Sequence, residues 1–321
     1  MRIYTGSYTR MGGPGVGVCS WEDGKLSLLS AARDLNDMIW VSLSSDSKHL
    51  YAAGSDPETG VGAVASYRVD GEKLVLESIH STEGNANCHL EISRDGRFLY
   101  AANYLSGSVT VLPIVDGVVG EKIQIVAHEG QGPHPTRQST FRPNADELLV
   151  CDLGIDKVVV YTQDPATGLL ERKQDIDMPA GMGPRHLIFA NENLFYITGE
   201  LDNIERRVDL IDGKWTSTGE ISTLPEGFEE KTTSAAIRLA EGALWVSNRG
   251  HDSVCKIELD EQGNMLSNSW IMTGGKAPRD FMHIPGAILT ANQDGGGLIA
   301  TNGAVLPMDG VVCICPDWKS I

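Results

Sequence analysis

The chain has 321 residues, of which 41% are hydrophobic and 21% charged, so it can bury a large core and is not a disordered polymer. Its formal net charge of −17 repels nucleic acid, and any anionic ligand has to meet a local cluster of Arg or Lys within a screening length of roughly 8 Å. No stretch approaches the ~20 apolar residues of a membrane span, and the opening Met1-Arg2-Ile3-Tyr4-Thr5 has no apolar run of the signal-peptide kind.

Read in chain order, the predicted elements are short apolar strands that repeat. The first, Arg2-Ile3-Tyr4-Thr5-Gly6-Ser7-Tyr8, is a copy without an upstream turn. A polar turn at Ser45-Asp46-Ser47-Lys48 then leads into Leu50-Tyr51-Ala52-Ala53, and Arg94-Asp95-Gly96-Arg97 leads into Phe98-Leu99-Tyr100-Ala101-Ala102. The same unit recurs as Pro143-Asn144-Ala145-Asp146 before Leu148-Leu149-Val150-Cys151, and as Asn191-Glu192-Asn193 before Leu194-Phe195-Tyr196-Ile197. It returns as Ala240-Glu241-Gly242 before Leu244-Trp245-Val246, and more weakly as Pro285-Gly286 before Ile288-Leu289. The turn positions 46, 95, 144, 191, 241 and 285 are 49, 49, 47, 50 and 44 residues apart. A propeller blade of four strands takes about 40 to 50 residues, so this is a blade period.

Helical periodicity is absent, and a second β segment follows each run, for example Ser108-Val109-Thr110-Val111. The expectation is therefore all-β: one domain over residues 1–321, a seven-bladed β-propeller with four antiparallel strands per blade. Its ring closes when the amino-terminal strand joins the blade built from the carboxy-terminal Val311-Val312-Cys313-Ile314-Cys315. The six cysteines sit mostly in strand-like runs and read as buried free thiols of a cytoplasmic protein. Paired CxxC spacing is absent, so neither a metal nor another cofactor is expected.

In such a ring, equivalent positions of successive blades converge on the channel. One register precedes each turn and holds His89, then His134 to Gln138, then Arg185 and His186, then Arg279. The other follows each apolar run and holds Asn103, Asp152, Glu200, Asn248-Arg249, and Asn292-Gln293. Imidazoles, guanidiniums and carboxylates recurring at these places point to a shared site. Each has a structural alternative: a satisfied core histidine for His89, inter-blade ties for Arg185 and Arg279, and a turn cap for Asp152. His80, His128 and His283 have no blade-equivalent partners and read as surface or packing residues.

Ala102-Asn103-Tyr104, Asp152-Leu153-Gly154-Ile155-Asp156, Gly183-Pro184-Arg185-His186, Ser247-Asn248-Arg249-Gly250-His251-Asp252-Ser253 and Pro278-Arg279-Asp280-Phe281 together resemble the signature segments of the lactonase family of seven-bladed propellers. The resemblance spans essentially the whole chain. The family includes hydrolases of phosphorylated gluconolactone and lactonizing enzymes of carboxy-muconate, the latter proposed to use a histidine, two arginines and a glutamate. The resemblance places the arginines at Arg185 and Arg249 and the glutamate at Glu200. Arg137 stands where the family histidine is expected, with His134 three residues earlier.

The implied activity is hydrolysis of a phosphorylated sugar lactone to its acid in the pentose phosphate route. Glu200, Arg185, Arg249, His134 and His186 are the catalytic candidates. Arg137, His89, Asn103, Asp152, Arg279, Asn292 and Gln293 are the candidates for binding a small anionic lactone. An arginine cannot accept a proton at ordinary pH, so the base is expected among Glu200, His134 and His186. No GxSxG elbow is present, so a covalent acyl-enzyme is not expected. Two alternatives stand beside this reading: a lactonase or cycloisomerase for another anionic lactone, and a non-catalytic propeller serving as an interaction platform.

Overall fold

The computed structural model describes residues 1–128 and 136–320, with Thr136 and Arg137 described in backbone only. Within them the chain is all-β and adopts a propeller fold, with helix confined to two single turns, Thr9–Met11 and Trp318–Ser320. Four sheets have four antiparallel strands in sequence order: 136–177, 184–222, 233–272 and 276–306. In the 87–127 sheet, Val118–Val119 and Gln124–Ala127 both pair with Ser108–Val115, so its outer strand is split in two. The remaining eight strands form one sheet in which two runs of four are joined by the single Ser7–Met38 pairing. One run is 36–81. In the other, the carboxy-terminal Val311–Asp317 pairs with Arg2–Ser7, followed by Val16–Glu22 and Lys25–Ala32. Three amino-terminal strands thus meet one carboxy-terminal strand, whereas the sequence reading gave the amino terminus one strand.

The repeating turns that marked the period are held in the same way in successive sheets. Ser44 Oγ donates to Asp46 at 2.7 Å and accepts from the His49 N–H at 2.9 Å. Ser93 repeats both bonds, with Asp95 at 2.7 Å and the Phe98 N–H at 2.9 Å. Each aspartate also accepts the N–H two residues on, at 3.1 Å in both turns, an Asx turn that fixes the hairpin.

The apolar run after each turn is the second strand of its sheet and is buried between neighbouring sheets. Leu149, Cys151, Val158 and Val160 pack against Phe195, Ile197 and Val208 of the next sheet. Tyrosines at equivalent places clasp one sheet to the next through a hydroxyl bond to a hairpin carbonyl. Tyr51 reaches Gly117 O at 3.0 Å, Tyr100 reaches Gly168 O at 2.9 Å, and Tyr196 reaches Gly263 O at 2.6 Å. These glycines have φ of +84°, +75° and +78°. A Cβ there would also fall on His49, Phe98 or the Tyr196 hydroxyl, within 2.1 to 2.7 Å.

All six cysteines are free thiols, and burial pushes Cys19, Cys255 and Cys315 up to about 12. Among the described residues, no helix is long and apolar enough to cross a membrane.

Candidate active site

Each sheet feeds its innermost strand into one end of the ring, and there the pairing slips. The register between the first and second strands shifts at Asn87/His89, Thr136/Gln138, Pro184/His186 and Pro278/Asp280. The pairing of Val311–Asp317 with Arg2–Ser7 shifts at Val312 in the same way. A bulge of this kind leaves one residue unpaired and re-aims it. The residues so displaced are Cys88, Arg137, Arg185, Arg279 and Val312. With Ile39, Trp40 and His186, the described side chains of this set line a narrow constriction. Above it opens a cleft of about 510 Å³, lined by Tyr8, Arg10, Asp37, Cys88, Tyr104 and Arg279 among others.

The second strand contributes by alternation. Near its end Asn103, Asp152, Gly199, Asn248 or Asn292, according to the sheet, lies opposite Asn87, Thr136, Pro184, Ser234 or Pro278. Successive side chains point to opposite faces, so the residue that follows has the opposite aim: Tyr104, Leu153, Glu200, Arg249 or Gln293. Among these, Glu200 sits between two guanidiniums, 3.0 Å from Arg185 Nε and 3.1 Å from an Arg249 terminal nitrogen. The Glu200 and Arg185 side chains are only 7% and 4% exposed, and that of Arg249 is 15% exposed. Two guanidiniums against one carboxylate leave the trio with one formal positive charge. His186 lies beside the trio, its ring nitrogens 3.3 and 3.4 Å from Arg185.

Three binding candidates lie elsewhere. Asn103 is fully buried and donates to Ser108 and Thr110 at 3.0 Å. Asn292 is fully buried and donates to Thr290 Oγ1 and the Gly297 carbonyl, both at 3.0 Å. Asp152 is fully buried, accepts the Gly154 and Ile155 amides at 3.0 and 3.3 Å, and lies 2.7 Å from His128 Nδ1. All three tie the end of the second strand to the turn or strand beyond it. His128, read as surface or packing, is the fully buried partner of Asp152 and stacks on Tyr161.

His89 also lies behind the site, packed on Trp40 with ring centroids 4.2 Å apart. Burial, with Arg238 and Arg185 adding to it, pushes it down to about 3, so it stays neutral at ordinary pH. Deeper in the ring, burial raises Glu91 to about 7. Burial also raises Asp280, against the pull of Arg238. Arg279 is where the sequence placed it, in both the cleft and the constriction, and donates to Gln293 Oε1 at 3.1 Å. His134 lies outside the described residues, as does the side chain of Arg137. Among the described residues, no three His, Cys, Asp or Glu side chains gather as a metal site.

The sequence reading missed Tyr8, Arg10, Asp37 and Trp40. Tyr8 was within reach, because it follows Arg2–Ser7 as Glu200 follows Leu194–Gly199. Its ring carries Arg10 at 3.8 Å and Arg279 at 5.6 Å, and Arg10 pairs with Asp37.

These features define a propeller with a charged cleft at one end of its channel. Residues 2–300 match the family model described as "Lactonase, 7-bladed beta-propeller", and the chain belongs to that family. It is 29% identical over 315 residues to the 6-phosphogluconolactonase of Bacillus subtilis, covering 92% of this chain and 89% of that one. Among solved structures, the periplasmic gluconolactonase PpgL of Pseudomonas aeruginosa superimposes with a TM-score of 0.88 at 25% identity, covering 98% of both chains. A Lactobacillus plantarum protein does so with a TM-score of 0.88 at 27% identity and the same coverage.

Proposed function

We propose that this protein is a lactonase of the 6-phosphogluconolactonase type, opening a phosphorylated sugar lactone to its acid in the pentose phosphate route. The observation that carries this reading is the Arg185–Glu200–Arg249 trio beside the channel constriction. The Bacillus subtilis relative supports the choice of substrate. The six free thiols support a reducing, cytoplasmic setting. We take the chain as one propeller domain of seven blades, counting the four four-stranded sheets, the split one, and the two halves of the eight-stranded sheet. The pairing of Val311–Asp317 with Arg2–Ser7 supports closure of the ring at that blade.

In the proposed reaction, water adds to the lactone carbonyl and gives a proton to Glu200. The ring C–O bond then breaks, and the ring oxygen takes the proton to leave a hydroxy acid. A δ-lactone is an activated ester and asks little of the base. Arg249 and Arg185 supply donors to the carbonyl oxygen as it gains charge. His186, which lines the constriction, is the second group placed to move a proton.

The Arg249→Ala variant tests this assignment. Its kcat/KM for the phosphorylated lactone is expected to fall about ten- to a hundredfold, the worth of a charge-assisted bond. Its melting temperature should stay close to that of the unmodified protein. A variant that melts early with unchanged kcat/KM would make Arg249 a tie between sheets instead.

A further inference from the structure

We propose that Arg279 is the anchor for the substrate's phosphate, and so the residue by which the cleft prefers a phosphorylated lactone to an unphosphorylated one. This rests on the lactonase reading above and adds to it the residue that sets substrate class. The trio has its own carboxylate, and Arg10 pairs with Asp37. Arg279 differs: its hydrogen-bond partner is the neutral amide of Gln293, and its guanidinium lies over the Tyr8 ring. Among the described residues, no carboxylate lies within ion-pair distance of it.

Position adds to charge. Arg279 lines both the constriction, next to Arg185 and His186, and the wider cleft above. A lactone whose carbonyl meets the trio would extend its far end into that cleft, whose volume of about 510 Å³ is in the range that holds small ligands. Cations are scarce in a chain of net charge −17, so an unneutralised guanidinium in a cleft is the natural seat for a dianion. The planar fork matches two phosphate oxygens. Gln293 and Tyr8 hold that fork without cancelling its charge.

Two variants test the proposal, each measured against 6-phosphoglucono-δ-lactone and glucono-δ-lactone with the spontaneous rates subtracted. Arg279→Met removes the charge and keeps the bulk. Gln293→Glu keeps Arg279 and gives it a carboxylate partner. Both are expected to raise KM for the phosphorylated lactone about ten- to a hundredfold, with kcat little changed. The ratio of kcat/KM between the two lactones should fall at least tenfold. Calorimetry with 6-phosphogluconate should record a matching loss of affinity, and Arg279→Lys should restore part of it.

If both lactones lose kcat/KM equally, or if Gln293→Glu binds 6-phosphogluconate as the unmodified protein does, Arg279 is not the phosphate anchor. If the unmodified protein hydrolyses neither lactone yet binds 6-phosphogluconate in a manner abolished by Arg279→Met, the anchor stands and the lactonase reading fails.

Discussion

Replacing Glu200 with Gln is expected to lower kcat for the phosphorylated lactone by two to four orders of magnitude, the usual worth of a positioned acid or base, with a much smaller change in KM. The substitution is nearly isosteric and stays between Arg185 and Arg249, but an amide cannot take a proton from water. If Glu200 served only to hold the two arginines, the Gln variant would raise KM and keep kcat. Stopped-flow or pH-stat kinetics separates these outcomes. A variant with full activity would transfer the proton-accepting role to His186 or to His134.

The second large effect concerns stability. Asp280 is 2% exposed and pairs with Arg238. It also accepts the Phe281 and Ile314 amides at 2.9 Å. The Ile314 bond links the 276–306 sheet to the carboxy-terminal strand, where the two ends of the chain meet. Asp280→Ala would leave a guanidinium without its carboxylate partner and take this acceptor from two buried amides. Breaking such a pair costs about 3–5 kcal/mol, so the melting temperature is expected to fall by roughly 5–15 °C. Asp280→Asn, which keeps one acceptor oxygen, should lose less. A melting temperature within a degree of the unmodified protein would show that the ends are held by strand pairing alone.

The period of the turns was legible in the sequence because Ser44-x-Asp46 and Ser93-x-Asp95 fold into the same bonded turn. The blade register then led to Glu200, Arg185, Arg249, His186 and Arg279. It also took in Asn103, Asp152 and Asn292, whose side chains bond within the sheet and its turns, for a reason of parity. In a strand of period two, these residues turn into the sheet and the ones that follow them turn outward. A register read to within one residue therefore mixes structural amides with site residues. The bulges at Cys88, Arg185 and Arg279 were not legible either, because a bulge is a property of two paired strands and leaves no pattern in one. Trp40, Asp37 and Arg10 escaped notice because they come from the join of the first two runs of strands, where the repeat is least regular.

The most direct measurement is the rate at which the purified protein removes 6-phosphoglucono-δ-lactone, followed by base uptake at constant pH against the spontaneous hydrolysis in matched buffer. The account predicts a saturable, enzyme-proportional acceleration that is greatly reduced in Glu200→Gln. A rate equal to the spontaneous one, for this lactone and for a panel of other anionic lactones, would contradict it and leave the propeller as a binding platform.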